Sequence, residues 1–170
     1  LAHADIRAFD PSSIGAPYKL VANIPYYITG EILRSFLESA HKPASMTLLV
    51  QKEVAERIAR SKKESLLSVA VKTYGQPAYE FTVPRGAFKP APNVDSAVIS
   101  IRDIVSPFTS AAHESRFFEV LRAGFAHKRK LLARNLEAVA AKYASASAGA
   151  AANVPEKARA EDLALRDWLA

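Results

Sequence analysis

The chain of 170 residues has no cysteine, which excludes disulfides, thiolate zinc sites and a cysteine nucleophile. Its four histidines, His3, His41, His113 and His127, are scattered, and none stands at metal-ligand spacing from another. No apolar run approaches the ~18 residues of a membrane-spanning helix. The N-terminus lacks the basic-then-apolar pattern of a signal peptide. Glycine is scarce, with six residues (Gly15, Gly30, Gly75, Gly86, Gly124 and Gly149), and no two of them form a G-x-G. There is no internal repeat. These absences leave a cytosolic protein without a resident metal as the simplest expectation.

Hydrophobic residues make up 49% of the chain and charged residues 24%, enough for the packed core of one ordinary domain or one domain with a small appendage. The net charge of +6 is unevenly spread. Residues 122–134 hold five Lys or Arg residues (Arg122, Lys128, Arg129, Lys130 and Arg134) and no acid. Such a stretch suits a polyanion partner, although it also fits a solvated helix face.

Leu1 to Asp10 reads as a strand end entering a polar loop. Tyr18 to Ala22 reads as a short buried strand, and Thr29 to about Ser39 as a helix with Ile32, Leu33, Phe36 and Leu37 on one side. The apolar run Met46–Gln51 suits a strand covered on both faces. Helices are expected over Lys52–Ala59 and Ser65–Tyr74, and strands over Ala78–Val83 and Ser96–Arg102. The last two strands suit an antiparallel edge, and the alternation as a whole an α/β sheet. After Asp103 only helices are expected, over Ser115–Phe125, Lys128–Tyr143 and a last portion from Pro155 to Leu169. Residues 145–152 are low in complexity and read as a linker. A boundary near residue 105 divides the chain into 1–104 and 105–170.

The most informative tetrapeptide is Asn23-Ile24-Pro25-Tyr26, at the end of the first expected strand. The Asn23 amide oxygen and the Ile24 carbonyl can both accept hydrogen bonds from one exocyclic amine. Proline fixes its own φ and pushes Ile24 toward an extended backbone, which holds that carbonyl in place. Tyr26 offers a π face to a base, a contact worth roughly 1–3 kcal/mol. The same residues also suit a plain strand end with Tyr26 as a half-buried amphipathic side chain. Tyr27 reads as a packing residue, and Lys52, Glu53 and Arg57 read as surface charges.

Three further segments follow in order: Gln51-Lys52-Glu53-Val54-Ala55-Glu56-Arg57, Phe88-Lys89-Pro90-Ala91-Pro92-Asn93-Val94-Asp95-Ser96-Ala97-Val98, and Phe125-Ala126-His127-Lys128-Arg129-Lys130. Together with the tetrapeptide they resemble the ribosomal RNA adenine-N6 dimethyltransferases, which modify small-subunit RNA near its 3′ end. The resemblance covers almost the whole chain. It implies part of a class I (Rossmann-like) sheet using S-adenosyl-L-methionine, in 1–104, and a small all-α RNA-binding domain, in 105–170. Asn23, Ile24, Pro25 and Tyr26 match the family's catalytic tetrapeptide, and Phe88 an aromatic that helps enclose the target base. Asp5 matches the acidic position that hydrogen-bonds the cofactor's adenine amine, and Ile6 and Asn23 are the other expected cofactor contacts. Lys128, Arg129, Lys130 and Arg134 are the expected RNA contacts, and 16S rRNA the expected partner of an enzyme that is a monomer when intact.

The chain departs from this pattern at its front, where such enzymes carry a strand, a glycine-rich turn and an acidic ribose-binding residue. It reads as starting at the end of the third strand, with at least ~60 residues of βαβ structure missing. An exposed sheet edge at Tyr18–Ala22 and little activity of this chain alone are the expectations. Two other readings stand beside the enzyme: a non-catalytic rRNA-binding or ribosome-assembly module, and a 23S rRNA adenine-N6 methylase of the macrolide-resistance type. DNA adenine methylases share the tetrapeptide logic but not the other segments.

Overall fold

The structure, a computed structural model, describes residues 3–15, 17–143, 155 and 157–170. The expected linker at 145–152 lies outside the described residues. Residues 1–61 and 70–106 form one compact unit, and residues 62–69 and 107–170 form another.

The first unit is built on four strands: β1 (Lys19–Asn23), β2 (Ser45–Gln51), β3 (Gln76–Val83) and β4 (Ser96–Arg102). They lie in the order β1-β2-β4-β3. β1 runs parallel to β2, whereas β4 is antiparallel to both β2 and β3. The parallel step needs a crossover, which α1 (Thr29–Glu38) supplies. The expected antiparallel edge is therefore present, formed by β3 and β4.

One sheet face carries the core. Met46 pairs with Ile101, Leu48 with Ile99 and Val50 with Ala97, and all six are fully buried. A slip of one residue would turn this whole stripe outward, so burial fixes the register. α2 (Lys52–Ala59) packs on β2, β3 and β4 and buries Ala55 and Ile58. α1 buries Ile32, Leu33, Phe36 and Leu37 along one side, as its spacing implies.

The opposite face is more open, and here two expectations need correction. β1 is the exposed sheet edge expected at Tyr18–Ala22, flanked only by β2, and not the buried strand its apolar run suggests: it alternates between exposed and half-buried positions, with Val21 76% exposed. β2 is fully covered on one face only, since Thr47 is exposed. The start of the chain also differs from expectation: Ile6–Ala8 and Pro11–Ser13 form short 3-10 turns, capped by the side chains of Asp5 and Asp10.

α3 (Leu66–Tyr74) begins within the second unit's residues and ends within the first's. Segment 62–69 joins the helical unit through a Glu64 amide that donates to the Glu161 carbonyl at 2.9 Å and through the Lys63–Glu161 ion pair. The helical unit also contains α4 (Ala111–Gly124), α5 (Leu132–Tyr143) and α6 (Leu165–Leu169). Ser110 caps α4 by accepting from the His113 amide at 3.2 Å. Leu132, Ala158, Ala160 and Leu163 form a buried cluster, with Phe125, Leu136 and Trp168 against it. α5 starts four residues later than expected, because residues 126–131 are taken up by turns. Among the described residues no helix is long and apolar enough to cross a membrane.

Gly75 closes α3 against the sheet. A Cβ there would sit 2.8 Å from the Arg102 carbonyl oxygen and 2.8 Å from Ile101 Cγ2. A backbone oxygen in a paired strand cannot turn aside. Gly75→Ala is therefore expected to destabilise the fold by about 1–3 kcal/mol, read as a lower urea midpoint with unchanged slope.

Candidate active site

The tetrapeptide Asn23-Ile24-Pro25-Tyr26 sits where parallel strands β1 and β2 end, the usual place for a ligand in an open α/β sheet. The Ile24 amide extends the ladder by donating to the Leu49 carbonyl at 3.3 Å, and its buried side chain anchors the turn. Pro25 has no amide to continue the ladder and holds φ −54° and ψ 129°. The chain then turns through the 3-10 segment Tyr26–Ile28. Asn23 is exposed, and among the described residues none hydrogen-bonds its amide.

Tyr26 is half-buried and tied at both ends. Its carbonyl accepts from the Thr29 hydroxyl at 3.1 Å and from the Thr29 amide. Its phenol is 2.7 Å from the Ser96 hydroxyl. Ser96 is the first residue of β4, fully buried and opposite Gln51. Tyr27 does not pack as expected and is 85% exposed. A 3-10 turn spaces successive side chains about 120° apart, so Ile28 goes inward while Tyr27 points to solvent.

The proline-rich loop between β3 and β4 is fastened beside the same strand end. The Asp95 carboxylate accepts from the Arg85 amide at 3.0 Å, and its carbonyl accepts from the Lys52 amide at 3.0 Å. Phe88 follows the 3-10 turn Arg85–Ala87 and is half-buried. Arg57 pairs with Glu53 across one turn of α2, consistent with their reading as surface charges.

Asp5 is exposed and already engaged. Arg7 donates to it from the backbone at 2.9 Å and from its guanidinium at 2.6 Å. These hydrogen bonds, the side-chain one first, lower the Asp5 pKa from 3.8 to about 2. The sequence signals only the backbone half of this contact, since an Asp side chain readily accepts from the amide two residues on, and not the guanidinium half. An open cavity of about 400 Å³ beside Asp5 is lined by Ile6, Phe9, Ile14, Tyr18, Leu20 and Phe36. A carboxylate at the rim of an apolar wall suits the amine and ring of an adenine. The apolar wall has the chemistry to take an adenine ring, Asp5 could accept its amine only where Arg7 gives way, and the glycines of this chain supply no G-x-G turn for the remainder.

Lys128, Arg129 and Lys130 are exposed but lie in the turn between α4 and α5 rather than on a helix. Arg134 is exposed on α5. The Asn135 amide donates to the carbonyls of Gly124 and His127, at 2.7 and 3.1 Å, which pins the turn. Among the described residues no cluster of His, Cys, Asp or Glu could hold a metal ion.

The sheet order and the loops at its strand ends define a Rossmann-like α/β protein with a helical appendage. A family model described as ribosomal RNA adenine dimethylase matches residues 1–170. The chain belongs to that family. It is 41% identical over 177 residues to the ribosomal RNA small subunit methyltransferase A of Dehalococcoides mccartyi, covering 99% of this chain and 60% of that protein. The protein of the same name from Lactococcus lactis is 43% identical over 125 residues, 72% of this chain and 42% of its own length. The chain thus spans about 60% of the length of the curated relatives that match it most fully. Among solved structures, the 23S rRNA methyltransferase ErmE aligns with a TM-score of 0.70 at 25% identity, over 98% of this chain and 67% of that one. A dimethyladenosine transferase from Plasmodium falciparum aligns with a TM-score of 0.77 at 22% identity, over 99% and 69%.

Because the folded-state pKa of Asp5 is depressed, the stabilisation from its contact with Arg7 is complete above the unfolded carboxylate range near 4 and is lost as pH falls through about 2. Carboxyl NMR is expected to show a midpoint near 2 for Asp5, returning toward 3.8 in Arg7→Ala.

Proposed function

We propose that this chain carries the base-binding and RNA-binding portion of an enzyme that methylates N6 of adenosines near the 3′ end of 16S ribosomal RNA, during ribosome biogenesis in the cytoplasm. The observation that carries this reading is the exposed Asn23 amide beside a tyrosine ring tethered at both ends. The family assignment and relatives near 40% identity support it.

An adenine N6 lone pair is delocalised into its ring and is a weak nucleophile. Acceptors at the Asn23 oxygen and the Ile24 carbonyl favour a more tetrahedral nitrogen and aim its lone pair. Pro25 keeps the two acceptors in fixed relation. This is catalysis by positioning and electrostatic preorganisation. Once methylated, the nitrogen carries an acidic proton that passes to solvent, so no dedicated base is required. Extrusion of the base from RNA costs a few kcal/mol, offset by stacking on Tyr26 with Phe88 closing over it. S-adenosyl-L-methionine supplies the electrophilic methyl group when bound. Asp5 and Ile6 would hold its adenine, with Asn23 near the reacting end.

Residues 1–104 supply the catalytic part and 105–170 the RNA grip, in an intact enzyme that acts as a monomer. Lys128, Arg129, Lys130 and Arg134 contact phosphates, which gives affinity without sequence selectivity. A non-catalytic rRNA-binding module is the second reading, favoured by the exposed basic turn. The likeness to a 23S enzyme rests on 25% identity, well below that to the small-subunit relatives.

In the protein at its relatives' full length, Asn23→Ala is expected to lower methyl transfer to small-subunit RNA by about 100-fold without weakening RNA binding. Full activity in that variant would remove Asn23 from the chemistry. Calorimetric titration of the folded 170-residue chain with S-adenosyl-L-methionine is expected to show no micromolar binding. Micromolar binding would mean that the cofactor is held without a glycine turn. Replacing Lys128, Arg129 and Lys130 by Ala is expected to flatten the log–log salt dependence of RNA binding by about 2–3.

A further inference from the structure

The F-x-P-x-P-x-V-x-S stretch from Phe88 to Ser96 ends on a serine with no evident purpose in the sequence. The structure gives it one. Ser96 is fully buried at the start of β4, and its hydroxyl lies 2.7 Å from the Tyr26 phenol, 70 residues away in sequence. Its neighbour Asp95 fastens the Arg85 end of the loop that carries Phe88, and also the first residue of α2. The Asp95-Ser96 pair therefore joins the two elements expected to enclose the base.

We propose that Ser96 is a positioning residue that sets the plane of the Tyr26 ring, with Asp95 holding the Phe88 loop in register with it. The inference rests on the reading of Tyr26 as the base platform. The backbone turn fixes the Cα end of the side chain through Thr29, which leaves rotation about χ1 and χ2 free. A second tether at the phenol oxygen removes that freedom. A ring held at both ends presents one face to an incoming base and loses little further entropy when the base arrives. Ser96 does this from within the sheet, where the buried β2–β4 pairing holds its own position.

The hydroxyl pair also separates positioning from folding. Tyr26→Phe leaves the buried Ser96 oxygen without its partner, which costs stability, whereas Tyr26→Phe with Ser96→Ala removes both polar groups and is nearly neutral. Activity that merely tracked stability would recover in the double variant. Loss of ring positioning would not.

The test is a double-mutant cycle with Tyr26→Phe, Ser96→Ala and their combination, with Tyr26→Ala as reference. Each variant is bound to a small-subunit RNA hairpin carrying 2-aminopurine at the target adenosine. The extruded, ring-stacked fraction is read from fluorescence lifetimes, and stability from thermal unfolding. All three tether variants are expected to lower the extrusion equilibrium by about three- to ten-fold, the double no more than either single. The melting temperature of the double variant is expected to return toward the parent value while its stacking deficit persists. If Tyr26→Ala abolishes stacking but the tether variants keep it, or if the single losses multiply or recover with stability, the positioning role is wrong. If Tyr26→Ala itself leaves the probe signal unchanged, or the parent protein gives none, the base-platform reading fails and takes this inference with it.

Discussion

Burial of a single stripe on β2 and β4 sets the register of the strand ends that carry Asn23 and Ser96. Met46, Leu48 and Val50 face Ile101, Ile99 and Ala97, and no water reaches any of them. Because side chains alternate along a strand, fixing this stripe also fixes the residues between them on the opposite face. Asn23, opposite Leu49, and Ser96, opposite Gln51, are among those residues. The turn after β1 inherits its height from the same pairing, since the Ile24 amide reaches back to the Leu49 carbonyl. The core thus acts on the site as a ruler. A shift of one residue would bury Asn23 and expose Leu48 together.

The elements whose hydrophobic period is plain were the most legible in the sequence. α2 and β4 fall on their expected residues, and α1 ends within a residue of its expected stop. The errors share a cause, which is that periodicity does not report neighbours. Tyr18–Ala22 lies at the exposed edge expected for it, but its apolar run alone suggests a buried strand, and its outer positions meet solvent. Phe125 to Lys130 carries helix-forming basic residues, yet the Asn135 amide captures the Gly124 and His127 carbonyls and holds a turn instead. That competitor for backbone hydrogen bonds comes from five or more residues beyond the segment, outside any local pattern.

The candidate site divides in the same way. Asn23, Pro25 and Tyr26 stand out as candidates by residue type and adjacency, because amide, fixed backbone and aromatic ring are read locally. Ser96 could not be read so, since its partner is 70 residues away and a buried serine in a strand has many uses. Asp5 shows the reverse case. Its acidity was visible, but the short bridge to Arg7 that occupies both carboxylate oxygens was not, and that bridge makes Arg7 a competitor for any ligand amine at that position. Tyr27 resembles Tyr26 in every local respect, and only the pitch of the 3-10 turn sends one ring inward and the other to solvent.

The Asn135 clasp on the α4–α5 turn separates the shape of that turn from its charge. The amide binds two backbone carbonyls, and the side chains of Lys128, Arg129 and Lys130 take no part. Substitution along these three positions can therefore change the local electrostatic potential while the loop keeps its form. A surface arranged in this way can drift in charge over evolutionary time by small steps without a folding penalty at each one.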